Sequence, residues 1–404
     1  MNIEFAVKRR FIIVLGCLTG IGALSIDMSL PSIPDMVIDL SSNLSTGQFI
    51  IGAFMAGIAL GQMPAGLLSD RIGRIPILLS GTLIFIFAGI VTSLATSIEI
   101  MLLGRFLQGL GASVGVVVSR AIVRDIASGK KAASILSVMV MIFTATPMLA
   151  PIIGGFLVSQ FNWRAPFIAI TIFGIIIFFS INKGLYETKK PDKDRHIKQQ
   201  LFNGIREFLT HKQSIIGMLL VVIPTMGYMS LITASSSLII GIYNFPVKWF
   251  GPIFALAGLA VLIGSVINRR LLKKYNILKI TGIGALFVGL GAIMLIYFAW
   301  QNQANFIWLW FSICIYMLGT GFLISNATAM ALDPVPKIAG IAASIIGTLQ
   351  NLCSSIGSIF TGIIYNHSIT NTILVMAVFG FLTLIVYLLS YKALKQNVVD
   401  LNLT

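Results

Sequence analysis

Two ionisable residues stand inside apolar runs of the chain: Asp27 and Arg105. A charge in such surroundings is costly, so it marks function by default. Asp27 lies 16 residues past Phe11, which is about 24 Å along a helix rising 1.5 Å per residue. Arg105 lies about five residues into a helix of opposite direction, which puts both groups at similar depth. A carboxylate and a guanidinium at one depth should pair, or one of them should line water. Two plainer readings stay open: Asp27 closes the first helix ahead of Pro31 and Pro34, and Arg105 snorkels to the headgroups. A second charged group, Gly66 to Arg74 (GLLSDRIGR), is a loop between two apolar runs. Asp70, Arg71 and Arg74 share that loop, Gly66 and Gly73 permit close approach and turning, and Asp125 ends a later run on the same side. A third stretch carries Pro147, Pro151, Gly154 and Gly155 within one apolar run, where the prolines remove backbone donors and the glycines allow close packing.

Gln108, Met148, Pro151, Tyr228, Asn326, Gln350 and Asn351 are candidates for lining a substrate cavity; for the polar ones a satisfied interhelical hydrogen bond is the competing reading. No nucleotide-binding loop, metal-ligand cluster or nucleophile–base constellation is visible, so the reading is a non-enzyme without metal or cofactor. His196, His211 and His367 fall in the connector or a loop and do not read as ligands or proton relays. An ion gradient is then the remaining energy source. One proton at ~150 mV supports a substrate gradient of roughly a few hundredfold.

The elements that must position these residues are membrane helices. The chain is 57% hydrophobic and 10% charged, where soluble domains carry about a quarter charged residues. Its mean hydropathy is +0.96. Twelve apolar stretches are long enough to span a bilayer: 11–32, 48–68, 76–95, 100–122, 132–158, 165–183, 213–241, 247–268, 278–299, 306–331, 338–365 and 369–391. The net charge of +15 invites a nucleic-acid partner, but its distribution excludes one. With both termini inside, nearly all Lys and Arg fall in loops on one side, and only Arg164 and Lys248 fall in the opposite loops. The tryptophans 163, 249, 300, 308 and 310 all fall at the predicted outer ends, as an interfacial belt requires. Lys8-Arg9-Arg10 and the following run have no signal-peptide cleavage site, so the first helix is read as uncleaved. Cys17, Cys314 and Cys353 read as packing residues.

The spacing gives an all-α membrane protein of two six-helix bundles, 1–183 and 213–404, joined by a polar cytoplasmic connector, 184–212. Ile197 to Phe208 within the connector has the spacing of an amphipathic surface helix. The halves read as a diverged repeat. Gly264 to Arg270 is offset by 198 residues from the first hairpin, with Asn268 where Asp70 stands and Arg269 where Arg71 stands. Two parallel halves with a substrate site between them follow from such a repeat.

The hairpin pattern G-x-L-S-D-R-x-G-R resembles the signature loop between helices 2 and 3 of the major facilitator superfamily. Ser25 to Pro34 (SIDMSLPSIP) resembles the first helix of drug:proton antiporters of the bicyclomycin-resistance (Bcr/CflA) type. Arg105 to Gly111 resembles the helix-4 motif R-x-x-Q-G-x-G of proton-coupled members. Pro151 to Gly155 keeps the P-x-x-G-G core of the family's helix-5 antiporter motif, while Phe143 and Pro147 stand where its leading glycines belong. The resemblance implies that Arg105 perturbs a carboxylate that carries the proton, which by position is Asp27. It implies that Asp70, Arg74 and Asp125 form a charge cluster, with Gly66, Arg71 and Gly73, that braces the halves at a closed cytoplasmic gate. It also implies efflux of small amphipathic drugs of bicyclomycin, chloramphenicol or sulfonamide type by alternating access. The expected setting is a bacterial inner membrane, with both termini cytoplasmic and the protein a monomer. The alternative on the same fold is a proton-coupled importer or facilitator of a small metabolite.

Overall fold

Pro31 decides where the first helix stops. Its ring nitrogen cannot donate to the carbonyl of Asp27, and α1 (Arg9–Asp27) ends there. A short 3₁₀ turn, Leu30–Ser32, and α2 (Ile33–Asp39) carry the chain onward. Five long helices complete the first half: α3 (Leu44–Ile72), α4 (Arg74–Ser93), α5 (Ile98–Ile126), α6 (Gly129–Gln160) and α7 (Ala165–Gly184). The second half comprises α8 (Ile197–Thr210), α9 (Lys212–Ser236), α10 (Val247–Leu271) and α11 (Ile277–Gln301), then α12 (Phe306–Leu332), α13 (Ala339–Ile364) and α14 (Ile369–Leu401). The computed structural model describes residues 9–189, 197–301, 305–366 and 368–401. The charged run 190–195, His196, His367 and both extreme termini lie outside them.

Twelve helical stretches among the described residues are long and apolar enough to cross a membrane. The first runs Arg10–Asp39 and takes in α1 and α2, well beyond the predicted 11–32. The second is Leu44–Ile72 rather than 48–68, because polar end residues such as Ser45, Asp70 and Arg71 stay helical where apolar character stops. The amphipathic stretch read over Ile197–Phe208 is the helix α8. Large apolar side chains at helical spacing, such as Leu83, Phe87 and Ile90 of α4, remain exposed, as a lipid-facing stripe would.

The chain divides into two compact units: residues 1–43 with 53–195, and residues 44–52 with 196–404. Within the first, α5 is the hub, and glycine lets it approach three neighbours. A Cβ on Gly109 would lie 2.1 Å from the Phe54 carbonyl oxygen of α3. On Gly111 it would meet the Gly81 oxygen of α4 at 2.6 Å, and on Gly115 the Leu18 oxygen of α1 at 2.6 Å. The second unit uses the same device. Gly264 of α10 and Gly321 of α12 would place a Cβ 2.2 Å and 2.3 Å from the partner's backbone oxygens at Leu318 and Val261. Lipid tails give apolar helices no reason to associate, so such contacts between small residues supply the packing. The three cysteines are free and half-buried.

Candidate functional site

Asp27 is the last residue of α1 and sits at a break in the membrane span, 3% exposed. The break is closed locally: the Met28 amide donates to the Leu24 carbonyl at 3.0 Å and the Ser29 amide to Ile26 at 3.1 Å. Interrupted membrane helices commonly carry binding and coupling sites, since they bring polar groups to mid-membrane. Arg105 of α5 is fully buried beside this break. One terminal nitrogen donates to Gln108 Oε1 at 2.8 Å, and the other to the Ser25 carbonyl at 3.2 Å and Ser29 Oγ at 3.3 Å. Its carbon lies 4.5 Å from the ring centre of Phe54 and 5.7 Å from that of Phe167.

The common depth expected for Asp27 and Arg105 is present, since Arg105 bonds the backbone two residues before Asp27. The direct ion pair between them is not among those formed by the described residues. The guanidinium fork is engaged by a carbonyl, a hydroxyl and an amide, and aromatic faces lie over it. Snorkelling is ruled out by its complete burial among protein groups. Arg105 Nε and Gln108 Nε2 have no hydrogen-bond partner among the described residues. Gln108, expected in a cavity, is instead buried inside the first unit and holds Arg105. The three-residue spacing that permits this bond is visible in the sequence, and Ser25 and Ser29 lie in the family-like stretch Ser25 to Pro34, whereas Phe54 and Phe167 carry no sequence signal of their own.

The proline and glycine stretch of α6 packs on this same break. A Cβ on Gly154 would lie 2.2 Å from the Met28 carbonyl oxygen, directly after Asp27. Gly20 of α1 faces Thr146, with 3.3 Å from its Cβ position to Oγ1. Pro147 and Pro151 lie inside α6, Pro151 and Gly155 are buried, and Met148 is half-buried.

The charged hairpin folds into a closed network. Arg74 reaches Asp70 at 2.8 Å, Asp125 at 2.8 Å and Ser69 Oγ at 2.7 Å. Gly73 has a φ of 118°, a conformation that side chains rarely adopt, and it turns the chain into α4. Arg71 is exposed, and Gly66 faces Val117 of α5. Three connector residues complete the network, which spacing alone could not reveal. Glu187 accepts the backbone amides of Arg74 (2.8 Å) and Ile75 (3.1 Å), capping α4. Lys189 reaches Asp70 at 3.1 Å, and Thr188 donates to Asp125 at 3.1 Å. At the other end of the unit Asp39 accepts from Trp163 Nε1 at 3.0 Å and from Arg164 at 2.7 Å.

In the second unit the four candidate residues separate. Asn326 is 2% exposed and exchanges amide bonds with Asn268 at 2.9 Å and 3.2 Å. This neutral pair ties α10 to α12 at the hairpin end, as the ionic cluster ties α3 and α4 to α5, so Asn326 is a brace rather than a free polar group. Gln350 of α13 donates to Thr225 of α9 at 3.3 Å, and Tyr228 stands one turn further along α9, half-buried. Asn351 is half-buried and donates to its own helix at Gly347, 2.9 Å. No group of three His, Cys, Asp or Glu side chains among the described residues is placed to hold a metal ion.

A twelve-span helical membrane fold with a charged hairpin and a buried arginine beside a helix break defines a transporter architecture. The Major Facilitator Superfamily model matches residues 15–358, and the chain belongs to that family. It is 30% identical to a bicyclomycin resistance protein homolog of Haemophilus influenzae, over 84% of this chain and 85% of the relative. It is 31% identical to the multidrug resistance protein MdtL of Escherichia fergusonii, over 86% of each. The crystal structure of a D-xylose-proton symporter shares the fold, with a TM-score of 0.75 at 16% identity, covering 93% of this chain and 97% of that one.

Proposed function

We propose that this protein is a drug exporter of a bacterial inner membrane, driven by proton entry, with Asp27 as the proton carrier and Arg105 as the cation it answers to. The names of the relatives, a bicyclomycin resistance protein homolog and a multidrug resistance protein, support the substrate class. The observation that carries the coupling is a buried carboxyl at a helix break, two residues from a backbone carbonyl that holds a buried guanidinium. Ionised, Asp27 is drawn toward Arg105; a proton removes that attraction. Two unit charges 4 Å apart attract by about 4 kcal/mol at an effective dielectric near 20. One proton crossing ~150 mV delivers about 3.5 kcal/mol. The energy a proton delivers is thus of the same order as the attraction that its binding to Asp27 would remove. No metal or organic cofactor enters this reading, and the exporter works as a monomer with both termini cytoplasmic.

The test is drug retention in cells expressing the protein, with bicyclomycin, chloramphenicol and a sulfonamide in turn. Lower retention of at least one, restored to the level of empty cells by a protonophore, is the expected result. Higher retention of a compound than in empty cells would instead make the protein an importer.

A further inference from the structure

Between α10 and α12 the second unit carries an open groove of about 470 Å³. Leu256, Ala260 and Ile263 line one side, and Trp310, Cys314 and Leu318 the other. Its shape follows from the glycines. The helices touch at Gly264 and Leu318, where a Cβ would stand 2.2 Å from a backbone oxygen, and the groove opens from there toward Phe306 at the start of α12. Trp310 is 4% exposed and fixed by its indole nitrogen on the Ile253 carbonyl, 3.1 Å. From Phe306 to Leu318 the groove runs 12 residues, or about 18 Å. That is close to the depth of one leaflet, half of a hydrocarbon core about 30 Å thick.

The open end meets a charge. Lys248 lies 11 residues, three helical turns, before Leu259, which also lines the groove, so the two share one face of α10. It is exposed and forms none of the ion pairs among the described residues. Exposed Trp249 and Trp308 flank this level, 52% and 59% exposed, as residues at a membrane interface do. Lys248 is also one of only two cations in the loops predicted on its side of the membrane, so a basic group here departs from the charge pattern of the chain.

We propose that this groove is a binding site for an anionic phospholipid of the leaflet at the Lys248 end, with an acyl chain lying along Leu256 to Ile263 and the phosphate on Lys248. The site is independent of Asp27 and of the transport reading. A chain filling a concave apolar groove gains dispersion contacts that a flat lipid-facing helix does not offer. The ammonium gives the site its headgroup preference. One lysine near the headgroups is worth about fivefold in favour of phosphatidylglycerol over phosphatidylcholine.

Native mass spectrometry of the protein released from micelles holding equal phosphatidylglycerol and phosphatidylcholine reads the site. Wild type should keep a lipid that Lys248→Ala keeps with about fivefold less preference for phosphatidylglycerol. Cys314→Trp fills the groove and should retain one lipid fewer of either headgroup. Lys248 is a surface residue, so its variant decides the headgroup even if the tryptophan variant folds poorly. Identical lipid counts and preferences in wild type and Lys248→Ala would overturn the proposal. So would a doubled mass that Cys314→Trp abolishes, since a second copy of the chain would then occupy the groove.

Discussion

Arg105 is held by geometry that only a guanidinium satisfies. One arm goes to Gln108 and the other to the Ser25 carbonyl and Ser29, while two phenyl rings lie over it. Lysine keeps the charge but has no fork and cannot reach both sides at once. Arg105→Lys should therefore lower proton-coupled efflux at least tenfold and cost about 1.5–3 kcal/mol of stability, the range for lost hydrogen bonds to a charged group. Initial transport rates and thermal unfolding of the purified variant measure the two effects. The depth of Asp27 and Arg105 was legible in the sequence, because rise per residue and helix direction fix it. The choice of partner was not. Whether a fork takes a carboxylate or a carbonyl depends on side-chain direction at the break after Asp27, which spacing does not encode.

At the scale of elements, the broken first span and α6 act together. Pro31 stops α1 at Asp27, and Gly154 lets α6 press onto the carbonyl of the next residue. Gly154→Ala would push a methyl against the Met28 backbone oxygen at 2.2 Å, where no flexible side chain can give way. Overpacking of this kind costs about 1–3 kcal/mol. A lower unfolding temperature and reduced efflux at unchanged expression are expected, and Gly184→Ala, whose Cβ would stand 3.9 Å from Val14, is the control that should change neither. The proline and glycine motif was visible in the sequence, and so was its helix. Its target was not, since the stretch Ser25 to Pro34 contains Met28 without marking it as a packing partner of α6. The same holds for Glu187, which caps α4 from 113 residues away in the chain. For Asn326 the sequence allows a cavity residue or a satisfied interhelical hydrogen bond, and the structure shows the second; its partner Asn268 was singled out by the repeat, but spacing does not join the two.

For the whole molecule, twelve spans were legible because bilayer thickness and backbone satisfaction leave helices few alternatives, and the family was legible because the charged hairpin and the helix motifs keep fixed residue types at fixed spacing. The charge asymmetry makes a further prediction about orientation. In a protein lacking Cys17, Cys314 and Cys353, a membrane-impermeant thiol reagent should label Lys248→Cys in intact cells and Lys273→Cys only in everted vesicles. The reverse pattern would invert the topology. The central claim is that Asp27 carries the proton, and one measurement addresses it directly. Everted vesicles are energised, a pH probe follows the gradient, and bicyclomycin, chloramphenicol and a sulfonamide are added in turn. Proton leakage on adding at least one compound, absent in Asp27→Asn of equal membrane content, is the predicted result. Equal leakage in Asp27→Asn, or gradient-driven efflux that survives the substitution, would contradict the account.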